Sequence, residues 1–104
     1  MRIRLYTIFS MEVKISLIFI SLGKMRKKPG KELAEQATKV VDELKNTGIK
    51  IIGWYWTLGR YDTAVIFEAA NEKEALKTSL AVADFVASET LVAIPREEAI
   101  KLLS

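Results

Sequence analysis

Four stretches of this chain are apolar on both alternations of a β-strand, and two amphipathic stretches of helical period stand among them in the order β-α-β-β-α-β. Residues 13–20, Val-Lys-Ile-Ser-Leu-Ile-Phe-Ile, begin by alternating and then run continuously apolar, as a strand buried on both faces does. Pro29 fits the first turn of a helix over about residues 30–46, where its missing N–H costs nothing. Leu33, Ala37, Val40, Val41 and Leu44 recur there at helical spacing, and Asn46-Thr47-Gly48 closes the helix. Residues 49–57, rich in Ile, Trp and Tyr, form a second strand. A short turn, Leu58-Gly59-Arg60, joins it as a hairpin to a third strand over 61–69. Helical period returns over 71–83, with Ala75, Leu76, Leu80 and Ala83 inward and Asn71 followed by Glu74 as a near capping box. Residues 86–94 are the last strand. Beyond Pro95, a short helix over 96–103 carries an apolar face of Ile100, Leu102 and Leu103.

This order is the ferredoxin-like split βαβ plan: an antiparallel four-stranded sheet, here with a short C-terminal helix added. Two helices cover one face of such a sheet. The strands of this chain are apolar on both faces, with Trp54 and Trp56 pointing one way and Tyr55 and Thr57 the other, and Ala64 and Ile66 opposing Val65 and Phe67. A monomer would leave a large apolar sheet face in water, beyond what soluble monomers usually tolerate. The expected partner is therefore a second copy, packed face to face as a dimeric α+β barrel.

At 104 residues the chain suits one domain. We expect that domain over 13–104, with residues 1–12 an N-terminal extension and Met11 a possible natural start. Cysteine and histidine are both missing, which removes thiol nucleophiles, disulfides, imidazole bases and histidine metal sites together. No clustered acidic motif replaces them, so no metal and no cofactor is expected. Phosphate loops and the RNA-recognition pattern are likewise missing.

The charge is uneven. Residues 1–31 carry eight of the sixteen Lys and Arg against the single acid Glu12, with Lys24, Arg26, Lys27, Lys28 and Lys31 crowded together. A solvated loop before a helix explains that cluster more simply than a nucleic-acid site, which would interleave aromatics with the bases. The apolar run over 13–22 falls short of the ~20 residues a spanning helix needs, and a cytoplasmic protein without a membrane partner is expected. Only three amides, Gln36, Asn46 and Asn71, accompany plentiful Lys and Glu, a balance shared with hyperthermophile proteins.

Two segments carry a resemblance. Tyr55-Trp56-Thr57-Leu58-Gly59-Arg60-Tyr61-Asp62 resembles the signature of the GYD-domain family, small prokaryotic proteins named for Gly-x-Tyr-Asp at this hairpin. Ser88-Glu89-Thr90-Leu91-Val92-Ala93 resembles that family's second landmark, Thr-Glu-Thr-Leu-x-Ala, with Ser88 in place of the first Thr. The resemblance runs over residues 13–103 and implies a ferredoxin-like fold of the dimeric α+β barrel kind. The hairpin is also similar to the effector-binding domain of leucine-responsive regulators. The resemblance implies an assembly and no particular activity.

Candidate site residues cluster at this hairpin. Gly59 is the residue able to take positive φ in the turn, and Asp62 can accept hydrogen bonds from turn N–H groups without any ligand. A binding reading instead places Tyr55, Thr57, Arg60, Tyr61 and Asp62 beside a cleft, with Arg60 able to clamp a carboxylate. Glu89, in the middle of an apolar strand, joins them as a candidate acid or base. The expected role is a small homo-oligomeric binding or assembly module that can hold a small molecule at the barrel or dimer cleft. The alternative is a cofactor-free oxygenase or isomerase using Tyr55, Tyr61 or Glu89 around an apolar pocket.

Overall fold

The computed structural model describes residues 16–103, so the expected N-terminal extension and the first three residues of the expected first strand lie outside it. Strand β1 (Leu17–Met25) leads to helix α1 (Lys31–Lys45), then to β2 (Lys50–Trp56) and β3 (Thr63–Ala69). Helix α2 (Glu72–Ala81) and β4 (Val86–Ala93) complete the split βαβ plan. A short helix α3 (Arg96–Ile100) runs into a single 3₁₀ turn, Lys101–Leu103. The four strands form one antiparallel sheet in the order β2-β3-β1-β4, the ferredoxin-like arrangement expected from the sequence.

Both helices lie on one side of the sheet. The core there is built on Phe19 of β1 and Phe67 of β3, which are paired in register and stacked with ring centroids 5.5 Å apart. Ile49, Ala69 and Ala75 complete the buried cluster, with Leu17, Leu44, Ile51 and Val65 packed against it. Register and alternation therefore place Leu17, Phe19, Ser21, Gly23 and Met25 on the helix side and Ile18, Ile20, Leu22 and Lys24 on the other.

Four local differences from the sequence reading have physical causes. Strand β1 continues past Ile20 to Met25, because Ser21, Leu22 and Gly23 are paired on both sides by β3 and β4 and tertiary pairing overrides their modest strand preference. Pro29 precedes helix α1 instead of sitting in its first turn; Gly30, in an extended conformation, is the N-cap.

Helix α2 is turned by one residue. It presents buried Ala75 and half-buried Thr78, Ser79 and Val82 to the sheet, while Leu76 and Leu80 stand 55% and 66% exposed. The small inward side chains allow close approach, and Ser79 Oγ lies 3.3 Å from Thr90 Oγ1 of β4. The cap itself is as read: Asn71 Oδ1 accepts from the Glu74 N–H at 3.0 Å.

The fourth difference is in β2. A bulge between Ile51 and Gly53 leaves Ile52 without a partner, so Ile51 pairs with Phe67 while Gly53 pairs with Ile66. The bulge reverses the alternation. Trp54 and Trp56, opposite Val65 and Thr63, thereby join Ile51 on the helix side, and Tyr55, opposite Ala64, falls on the open side. The Tyr55 ring lies across Gly53, where a Cβ would come within 2.7 Å of it.

Candidate functional site

No described element covers the second face of the sheet. Its central row runs Ile66, Ile20, Leu91 across β3, β1 and β4. The row beside it runs Tyr55, Ala64, Leu22, Glu89 across all four strands. Ile18, between Glu68 and Ala93, begins the next row. The middle row of this surface is aliphatic, and its charged groups are Lys24, Lys50, Glu68 and Glu89, with Lys50 opposite Glu68.

The Gly-x-Tyr-Asp hairpin closes one end of that face. Its loop is longer than the three-residue turn expected, with β3 starting only at Thr63, because Asp62 is held by β1 and not by β2 alone. The Asp62 N–H donates to the Gly23 carbonyl at 2.8 Å, and Asp62 Oδ2 accepts from the Met25 N–H at 2.7 Å. The Asp62 carbonyl in turn accepts from the Thr57 N–H at 2.8 Å, and Thr57 Oγ1 donates to the Tyr61 carbonyl at 2.7 Å. Gly59, at φ +100°, supplies the left-handed residue that the turn requires.

Tyr61 is sent the other way. Its hydroxyl donates to Glu89 Oε1 of β4 at 2.5 Å. Since β1 separates β3 from β4, the phenol spans the end of β1 on the open side. The hydrogen bond to Glu89 is the main cause that raises the Tyr61 pKa above its ordinary value; partial desolvation and the Glu89 charge add to it, and Arg60 opposes them. The Arg60 guanidinium lies 5.8 Å from the Tyr61 ring centroid, a cation–π contact.

The six residues singled out from the sequence thus fall into three sets. Tyr55, Tyr61 and Glu89 share the open face, where the Tyr61 phenol and the Glu89 carboxylate form one hydrogen-bonded pair and Tyr55 stands at the opposite edge, on β2. Thr57 and Asp62 spend their polar atoms on the loop and on β1, and Arg60 lies over Tyr61.

A landmark strand and a landmark hairpin are here joined through one hydrogen bond, Tyr61 to Glu89. The match to the GYD-domain model extends over residues 18–103. The chain belongs to the GYD-domain family. Among solved structures, this GYD-domain protein is similar to a dimeric ferredoxin-like protein of unknown function from Thermobifida fusca. The two share 13% identity and a TM-score of 0.49, over 77% of this chain and 92% of that one. No curated protein matches the chain.

Among the described residues of this GYD-domain protein, no group of three or more Asp or Glu side chains is placed to hold a metal ion. No described helix is long and apolar enough to cross a membrane. Within the basic cluster Lys24, Arg26, Lys27, Lys28 and Lys31 all stand exposed, and Arg26 Nε donates to the Ala83 carbonyl at 2.9 Å.

One feature of the helix side has no counterpart in the sequence reading. Helix α1 stands off the sheet along part of its length, and a cleft of about 350 Å³ remains beneath it. Trp54 and Trp56, brought to this side by the bulge, form part of its wall.

Proposed function

We propose that this GYD-domain protein is a homodimeric binding module in which two copies pack open face against open face. The observation that carries the reading is the aliphatic row Ile66, Ile20, Leu91, paired in register at the centre of a face that no described element covers. Packing two such rows together removes both from water, and each Å² of apolar surface so buried contributes about 25 cal/mol before the costs of association. Tyr55, Tyr61 and Glu89 lie on the same face, so a small molecule held by them would be enclosed by the second copy. The apolar side of α3 and its 3₁₀ turn, with Ile100, Leu102 and Leu103 exposed, is available for further subunit contacts.

Binding is favoured over catalysis by the placement of the two candidate features. The Tyr61–Glu89 pair is on one side of the sheet and the cleft beneath α1 is on the other. The phenol and carboxylate therefore do not face a substrate held in that cleft.

The test is Ile20→Lys. A lysine in the middle of the central row should convert the dimer to a folded monomer, followed by light scattering for mass and circular dichroism for fold. An Ile20→Lys protein that keeps the mass of a dimer would remove the open face as the interface.

A further inference from the structure

We propose that the cleft between α1 and the helix side of the sheet is a binding site for a flat, uncharged aromatic molecule bearing a hydroxyl or carbonyl group. This site goes beyond the reading above and does not depend on the dimer, since the cleft opens on the side of the sheet opposite Tyr55, Tyr61 and Glu89.

The walls are apolar and built from separate elements. Leu33, Ala37 and Val41 come down from α1, Phe85 closes the side nearest β4, and Trp54 and Trp56 rise from β2. Two indoles and a phenyl ring offer faces and edges against which another aromatic ring packs favourably, by about 0.5–1.5 kcal/mol beyond area alone for each good pair. A space of about 350 Å³ is at the small end of the range in which compact ligands are bound.

The floor is different in kind. Ser21, Thr63 and Ser88 lie on three neighbouring strands around Gly23, in register as Gly23 opposite Thr63 on one side and Ser88 on the other. Neither the Thr63 nor the Ser88 hydroxyl is hydrogen-bonded to another described residue, and Ser21 Oγ has only the Thr90 hydroxyl at 3.3 Å. At Gly23 the place of a side chain is already filled by neighbours: a Cβ there would stand 2.4 Å from Thr63 Oγ1 and 2.7 Å from Val86 Cγ1. The floor thus offers hydroxyls that donate or accept, suited to one polar atom at the end of a ring.

Charge sets the class of ligand. Of the described residues that line the cleft none is charged, although 28% of the chain is. An ionised ligand would lose its hydration with no opposite charge to replace it, whereas an uncharged one would lose little.

Both tryptophans of the chain line this cleft, so its occupancy is read directly from two indole N–H signals in ¹H–¹⁵N spectra of the full-length protein. With 2-naphthol as probe at neutral pH, both signals should shift and saturate with a midpoint below about 1 mM. The 2-naphthoate anion, of the same shape, should bind at least about 10-fold more weakly. Ala37→Phe, which fills the cleft from α1, should abolish the shifts. The double variant Thr63→Val with Ser88→Ala, milder toward the fold, should weaken naphthol binding by about 2- to 12-fold, the loss of a neutral hydrogen bond.

Unmoved indole signals at about 1 mM naphthol, or equal binding of naphthoate, would overturn the proposal. So would unchanged naphthol binding in either variant. Light scattering on the same samples separates this from the assembly reading: a dimer that ignores naphthol refutes the site alone, and a monomer that binds it refutes the dimer alone.

Discussion

Replacing Asp62 with alanine tests whether the last residue of the Gly-x-Tyr-Asp motif is a structural tie or a ligand group. The structure commits Asp62 Oδ2 to the Met25 N–H, at 2.7 Å and with both residues half-buried. A hydrogen bond to a charged acceptor contributes about 1.5–3 kcal/mol, and its loss strands an N–H at the end of β1. The backbone bond from the Asp62 N–H to Gly23 survives the substitution, so the loss should stay within that range. In urea, with a slope of about 1–3 kcal/mol/M for a domain of this size, Asp62→Ala should lower the unfolding midpoint by on the order of 1 M. Asp62→Asn keeps an acceptor of neutral strength and should lose roughly half as much. Protein concentration must be held fixed across the series, because the proposed dimer would be stabilised by its own concentration. A midpoint for Asp62→Ala equal to that of the parent would refute the reasoning and return the carboxylate to the candidate ligand groups.

Two further outcomes follow from the same geometry. Tyr61 has its pKa raised mainly by its hydrogen bond to Glu89, so the bonded phenol contributes stability fully present below the ordinary tyrosine value of about 10 and lost as pH rises through the higher folded value; in an ultraviolet titration, Glu89→Ala, which leaves no acceptor, should bring the Tyr61 midpoint down toward that of an ordinary phenol, and an unchanged midpoint would show that the pair does not form. Phe67, 1% exposed and stacked on Phe19, should cost about 3–5 kcal/mol on replacement by alanine, read as a urea midpoint, and a loss under about 1 kcal/mol would mean the core is placed wrongly.

The ferredoxin-like order was legible because each element announces itself locally. The apolar runs are bounded by Gly, Pro and Asn, and the two helices carry period and caps of their own. Gly59 and the Asn71 cap were readable for the same reason: a left-handed turn residue and a side-chain cap are decided within four residues of chain. The open face followed from counting apolar alternations against only two helices.

What escaped was decided at a distance. Ile51-Ile52-Gly53-Trp54-Tyr55-Trp56 is apolar throughout, so nothing in its alternation marks the bulge that moves both tryptophans to the helix side. Leu76 and Leu80 fit an apolar stripe better than Ala75, Thr78 and Ser79 do, yet the small residues win because they let α2 approach β4. The candidate residues at the hairpin come from the motif alone, whereas that Asp62 is spent on β1 while Tyr61 crosses to Glu89 depends on contacts between residues 37 and 28 positions apart. The cleft depends on the distance of α1 from the sheet, which no local pattern encodes.

The aliphatic sheet face of this GYD-domain protein is, as proposed above, a surface for a second copy of itself. Light scattering of the 104-residue chain at micromolar concentration decides this. Two open faces packed together give a mass of twice 11.7 kDa or a higher multiple. A folded, monodisperse species at 11.7 kDa would contradict it.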